Sequence, residues 1–139
     1  MPNDDCRRLL PDISLLVKGV REKEIDRQTG KIKKAAFMPR RNGKDDDGLS
    51  ASQPANDNRE ALKNRLSNAE GFFCKLSAGG VRLIEEQQTS LEVCPAPTDL
   101  DICHVLIIGV PTTHEQSPLA NRLAEKLAGI SLRYDPPEV

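Results

Sequence analysis

Aromatic residues are scarce in this chain of 139 residues, which has no tryptophan, one tyrosine and three phenylalanines. The hydrophobic content is 37%, against a usual share of about 45–50% on a scale that also counts glycine. A chain of this length is expected to form one domain around one core. That core must therefore be built from Leu, Ile, Val and Ala side chains, and part of the chain is expected to lie outside it.

Long apolar runs are also missing. No stretch approaches the roughly 18 apolar residues of a membrane span. We do not expect the N-terminus to be a signal peptide, because its acids precede its basic residues and no apolar segment follows them. Four cysteines, Cys6, Cys74, Cys94 and Cys103, could pair, but nothing in the sequence suggests secretion. We therefore expect reduced thiols, a cytoplasmic location and no membrane partner.

The common catalytic patterns do not occur. Gly-x-Ser-x-Gly, His-Glu-x-x-His and the glycine pattern of dinucleotide-binding folds are all absent from the sequence. Loop 111–117 carries His114 and Glu115, which could act as acid and base, but it has no glycine with which to cradle a phosphate. Cys94 or Cys103 could serve as a nucleophile beside a histidine in principle. A small enzyme is therefore an alternative, and a non-catalytic protein is favoured.

Metal-ligand spacing is weak as well. Zinc sites use close ligand pairs, whereas Cys103 and His104 are adjacent on a predicted strand and should point to opposite faces. Asp45, Asp46 and Asp47 are consecutive and lack the alternating spacing of calcium ligands. We expect neither a metal nor another cofactor.

The N-terminal half predicts two strands and a loop. Residues 13–20 and 31–38 are predicted strands, with a helix as the alternative for the first, and residues 26–30 between them have turn chemistry. Residues 39–58 show no periodic signal, and Leu49 is their only large aliphatic residue. Such a stretch is typical of a flexible charged or polar loop.

Two amphipathic helices are predicted. The first covers residues 58–70 and carries an apolar stripe on one face. The second covers residues 118–128, with Ser117 as its N-cap, Pro118 in its first turn and Gly129 as its stop. The leucine stripes of the two helices are Leu62 and Leu66, then Leu119, Leu123 and Leu127.

Three further strands are expected at residues 81–87, 89–94 and 103–110, the first two joined as a hairpin through Gln87 and Gln88, and residues 131–139 form an extended tail. The fold class is therefore α+β: one small domain over residues 1–139, with a mostly antiparallel sheet and both helices on one face. The predicted core consists of Leu62, Leu66, Phe72, Phe73, Leu83, Leu91, Val93, Val105, Ile107, Leu119, Leu123 and Leu127.

Charge is concentrated in residues 31–49. Six cations precede any acid, and three consecutive aspartates follow them. The candidate binding residues are Lys33, Lys34, Arg40, Arg41, Lys44, Asp45, Asp46 and Asp47. A solvated strand and loop would account for this pattern, and so would a contact surface.

Three functions are compatible with these features. A small accessory or regulatory module that docks on a protein partner through residues 31–49 is favoured, with a loop that becomes ordered on binding. Nucleic acid or a phosphate ligand could bind the basic patch from Lys31 to Lys44, although the aspartates would repel the same backbone. An enzyme using loop 111–117 is the third alternative.

Overall fold

A six-stranded sheet forms the framework of the protein. The computed structural model describes residues 6, 8–39, 47–53, 71–99 and 103–134. The strands within them are β1 (Leu15–Arg21), β2 (Leu49–Ser52), β3 (Gly71–Ser77), β4 (Glu85–Glu86), β5 (Thr89–Ser90), β6 (Glu92–Pro95), β7 (His104–Ile108) and β8 (Leu132–Tyr134). The sheet has the order β6-β7-β2-β1-β3-β8, while β4 and β5 form a separate hairpin. All neighbouring strands run antiparallel, which agrees with the predicted sheet type of a small α+β domain.

The sheet is accompanied by the five-residue helix α1 (Ala78–Arg82) and the longer helix α2 (Ser117–Ile130). The predicted helix over 118–128 is confirmed as α2. Its expected stop at Gly129 is wrong, because the helix continues to Ile130 and then turns at Ser131. The predicted helix over 58–70 lies outside the described residues, so the prediction of two amphipathic helices is not confirmed.

The main core lies between one face of the sheet and α2. Buried leucines of α2 pack there with side chains from β1, β2, β3, β6 and β7. Successive residues of a strand point to opposite faces, so Leu16 enters this core while Val17 packs against Phe73 in a small second cluster. The predicted core residues that are buried are Phe73, Leu91, Val93, Val105, Ile107, Leu119, Leu123 and Leu127.

Other predicted core positions have different outcomes. The prediction that Leu83 belongs to the core is wrong, because Leu83 follows α1 and is 87% exposed. The side chains of Leu62, Leu66 and Phe72 lie outside the described residues.

No helix in the described part of the chain is both long enough and apolar enough to span a membrane.

The predicted strand over 13–20 is confirmed, since it contains most of β1. The predicted strand over 31–38 is wrong. Ile32 forms an isolated bridge with Ile25, and the chain then turns through a 3-10 helix at Lys34–Phe37. This turn directs Phe37 into the core, where it is fully buried. The tertiary contact of one large side chain therefore overrides the strand pattern.

The loop prediction for 39–58 is wrong at β2, which pairs with β1 on one side and β7 on the other. Gly48 leads into β2 at a φ of +140°, and a Cβ there would lie 2.8 Å from the backbone oxygen of Ile107. Glycine is therefore required where the chain enters the sheet. The predicted tail 131–139 likewise contributes β8, which pairs with β3.

The strand prediction for 81–87 is wrong at its start, since Val81 and Arg82 belong to α1, and correct at Glu85–Glu86, which forms β4. Ser77 begins this helix because its Oγ accepts a hydrogen bond from the Gly80 N–H at 3.0 Å. The hairpin through Gln87 and Gln88 is confirmed, with positive φ at both residues, as a two-residue turn of type I′ requires. The predicted strand 89–94 is divided between β5 and β6. The strand over 103–110 is confirmed as β7 inside the sheet.

Arg82, at the end of α1, joins three parts of the chain. Its side chain is 4% exposed, and its guanidinium contacts Asp12 at 2.8 Å and Glu92. It also donates to the backbone oxygens of Val93 at 3.1 Å and Cys6 at 3.4 Å. Burial by itself would lower the pKa of Arg82, but the hydrogen bonds to Glu92 and Asp12 outweigh that effect and raise the pKa above its ordinary value.

The N-terminal segment is bound to the same corner by backbone and covalent contacts. The Gly79 N–H donates to the Asp12 backbone oxygen at 2.9 Å, and a Cβ on Gly79 would lie 2.9 Å from the Asp12 Cβ, so only glycine permits this approach. Cys6 forms a disulfide with Cys94 of β6. The expectation that all four cysteines are reduced thiols is therefore wrong for this pair, because the fold brings together two residues that are 88 positions apart.

The disulfide predicts a measurable stability difference. Replacing Cys6 by serine should lower the free energy of unfolding by roughly 4 kcal/mol, because the cross-link closes a long loop and restricts the unfolded chain. Urea denaturation of the oxidised protein measures this loss, and reducing agent should cause a similar loss in the unmodified protein. Cys103→Ser, which removes a cysteine outside the disulfide, is the control. Equal stability of the oxidised and reduced unmodified protein would contradict the prediction.

The contacts of Arg82 predict a second difference in the free energy of unfolding, between two arginine variants. Arg82→Met should destabilise the fold by about 3–5 kcal/mol, because it takes the guanidinium away from the buried Glu92 carboxylate. Arg122→Met is the matched control, since Arg122 is 41% exposed and contacts Glu86 at 3.3 Å. That exposed pair should contribute less than about 1 kcal/mol. Similar urea midpoints for the two variants would show that Arg82 does not fix this corner.

Candidate functional site

A groove of about 730 Å³ lies between residues 30–35 and the corner where α2 is followed by β8. This volume is within the usual range for ligand sites, about 300–1,000 Å³. Its lining combines apolar and cationic residues with one acid, Glu125. We call it the basic groove. Its apolar residues are Ile32, Ala35, Ala128 and Leu132, and its cationic residues are Lys31, Lys33, Lys34 and Arg133.

Backbone contacts position the lysines of the basic groove. The turn at 26–30 closes when the Gly30 N–H donates to the Asp26 oxygen at 2.7 Å, with Gly30 at a φ of +73°. The chain then pairs with its own incoming segment through the bridge between Ile25 and Ile32. Ile32 is buried while the residues on either side of it are exposed. Burial of one isoleucine therefore holds Lys31 and Lys33 toward solvent.

The lining of the basic groove favours anions. Four of its residues are cationic and only Glu125 is acidic, so the local charge is positive although the whole chain has a formal charge of −1. The carbonyl groups in the last turn of α2 carry partial negative charge, which offsets part of this positive charge. An acidic ligand with an apolar portion matches both components of this lining.

The predicted binding residues are only partly brought together. Lys33 and Lys34 line the basic groove, whereas Asp47 lies at the turn before Gly48 and is not part of its lining. Arg40, Arg41, Lys44, Asp45 and Asp46 lie outside the described residues.

Sequence reasoning did not find the second wall of the groove. Leu132 and Arg133 lie about one hundred positions after the lysines, and they face them only because β8 pairs with β3. Apolar Ile130, Leu132 and Tyr134 alternate with polar Ser131 and Arg133, which is a short strand signal. That signal does not indicate which strand β8 pairs with.

The loop proposed for an enzyme lines a smaller cleft of about 240 Å³ with Pro39 and Ala120. Its residues His114–Gln116 form a 3-10 turn, and both His114 and Glu115 are exposed. The side-chain hydrogen bond described for this loop joins Thr113 to Gln116 at 3.0 Å. Nothing described in the loop pairs His114 with an acid, so the geometry adds no support for acid–base chemistry.

The cysteine and histidine candidates are also separated. Cys94 is bonded to Cys6, and the His104 Nδ1 lies 2.8 Å from the Ala96 carbonyl oxygen, which makes this nitrogen a donor. Cys74 is buried on β3, and burial raises the pKa of its thiol to about 11. Within the described residues, no group of three or more His, Cys, Asp or Glu side chains could hold a metal ion. The surroundings of Cys94 and Cys74, a disulfide and a buried strand position, are therefore those of structural cysteines.

Cys74 predicts a pH dependence of stability. Its pKa is raised from 9.0 to about 11 in the folded protein, so the unfolded state releases its proton first. The stabilisation is complete below pH 9 and is lost as the pH rises toward 11, by about 2–3 kcal/mol. This loss of stability is measured by urea denaturation of the unmodified protein and of Cys74→Ala at several pH values. Parallel curves for the two proteins would contradict the prediction, because only the unmodified chain carries this thiol.

The basic groove is thus the described feature in which charge, apolar surface and volume occur together. Comparison with known protein families, with curated proteins and with solved structures finds no match to the chain.

Proposed function

We propose that this protein is a non-catalytic interaction module with an accessory or regulatory role, which docks an acidic segment of a protein partner in the basic groove. The observation that carries the proposal is the lining itself, four cationic residues beside four apolar ones. The proposed surface begins at Lys31, as the charge pattern of residues 31–49 suggested. It adds residues of α2 and β8 to that segment.

The composition of the groove favours a protein partner over nucleic acid. Single-stranded nucleic acid is held by cations together with aromatic side chains that stack on the bases. None of the described lining residues is aromatic. Apolar lining residues such as Ala35 and Ala128 instead suit the aliphatic side chains of a peptide, while the lysines suit its carboxylates.

The cytoplasmic location stays a prediction. The disulfide between Cys6 and Cys94 is the observation that weighs against it, because disulfides persist best in oxidising compartments. The docking proposal does not depend on the compartment, since the lysines and the apolar residues of the groove are independent of the disulfide.

Charge reversal in the groove tests this function. Lys33→Glu/Lys34→Glu should weaken binding of a protein partner by at least about tenfold, because it replaces attraction of an acidic segment by repulsion. The matched control is Lys23→Glu/Arg27→Glu, which changes the net charge equally at exposed positions that do not line the groove. Mild affinity purification, followed by mass determination and the 260/280 nm absorbance ratio, gives the readout.

The outcomes separate the alternatives. A stoichiometric protein captured by the unmodified chain and by the control, but not by the groove variant, supports docking. Capture by all three proteins would exclude the groove as the docking surface. A high 260 nm absorbance that disappears in strong salt would replace the protein partner with nucleic acid, because phosphate contacts release counterions and are therefore salt-dependent.

A further inference from the structure

The two edges of the sheet differ in how they are covered. At one edge, β6 contains Pro95, is cross-linked through Cys94 and has the Val93 carbonyl oxygen bonded to Arg82. At the other edge is β8, which pairs only with β3 within the described residues. An edge strand directs a row of backbone N–H and C=O groups away from its sheet, and such a row can pair with another chain.

The β8 edge and the basic groove share residues. Leu132 and Arg133 belong to β8 and also line the groove, opposite residues 30–35. Leu132 is 63% exposed at this edge. A chain lying in the groove is therefore beside both the backbone of β8 and the lysines.

We propose that the partner segment binds as an added β-strand along β8, with acidic residues alternating with apolar ones. This inference rests on the proposed function and specifies how the same groove recognises its partner. In strand addition, backbone hydrogen bonds supply affinity and alternate side chains supply specificity. Because side chains of a strand alternate in direction, one set of the peptide's side chains meets the groove cations. The other set lies on the opposite face of the sheet, the face to which the register of β8 directs Leu132.

Charge complementarity selects an acidic chain of another protein over a second copy of this one. Pairing β8 with β8 of a second copy would bring two sets of groove cations together, and like charges opposite one another are destabilising. An acidic strand instead places carboxylates near Lys31, Lys33 and Arg133. The occupant is thus an extended acidic peptide.

A backbone-methylated peptide series tests the mode of binding. The probe is a blocked, fluorescein-labelled hexapeptide of alternating Glu and Val, compared with forms N-methylated at every Glu or at every Val. In an added strand, the N–H groups of one set point toward β8 and those of the other set point away. One methylated form should bind at least about tenfold more weakly, while the other changes less than about twofold, because only one set forms backbone hydrogen bonds. Fluorescence anisotropy measures the affinities.

Matched controls complete the experiment. A hexapeptide with three Val followed by three Glu has the same composition without the alternation and should bind more weakly than the probe. Lys33→Glu/Lys34→Glu should also lose the alternating probe, whereas Lys23→Glu/Arg27→Glu should keep it. A probe that binds both charge-reversed proteins equally would locate it outside the groove and overturn the inference.

The failures of the two proposals are distinguishable. Equal effects of the two methylation patterns, or no binding of the unmethylated probe, would overturn strand addition. If Lys33→Glu/Lys34→Glu still loses the protein partner in the purification experiment, the proposed function survives that result. If partner capture does not depend on Lys33 and Lys34, and the two methylated peptides bind equally, both the proposed function and strand addition are excluded. A concentration-dependent dimer that competes with the probe would assign the β8 edge to a second copy of this chain.

Discussion

The N-terminal corner of this structure depends on the hydrogen bonds that the buried Arg82 guanidinium donates. A charge with only 4% of its side chain exposed is stable only when its donors find acceptors. Asp12, Glu92 and two backbone oxygens supply them, and these acceptors come from two separate segments, the N-terminal segment and β6. The cost of burying one cation therefore determines how the N-terminal segment, α1 and β6 lie together.

That corner also covers one of the two edges of the sheet. Arg82 bonds to a carbonyl of β6, and the disulfide of Cys94 anchors the N-terminal segment beside the same strand. Proline at the end of β6 removes a further donor. The β8 edge has none of these three features in the described structure. The asymmetry is a physical reason to assign recognition to β8, where an added strand would meet exposed backbone and exposed charge.

The basic groove depends on two separate constraints of packing. Burial of Ile32 turns its lysine neighbours outward, and pairing of β8 with β3 places Leu132 and Arg133 opposite them. Either constraint by itself would leave a charged segment or a frayed terminus in water. Together they form a concave surface with apolar and cationic components, which is the combination that an acidic peptide requires.

Periodicity in the sequence determined the elements that are local and strongly patterned. The leucine stripe of α2 and the apolar run of β7 specify a helix and an interior strand, because their side chains repeat at the spacing of one buried face. The double-glutamine hairpin and the lysine cluster are also visible in the sequence. The role of Phe37 and the strand character of Leu49–Ser52 are not, because each depends on a partner surface that is distant in the chain. Only the tertiary structure decided that Cys6 meets Cys94 and that β8 closes the groove, since pairing between remote segments reflects the packing of the whole fold.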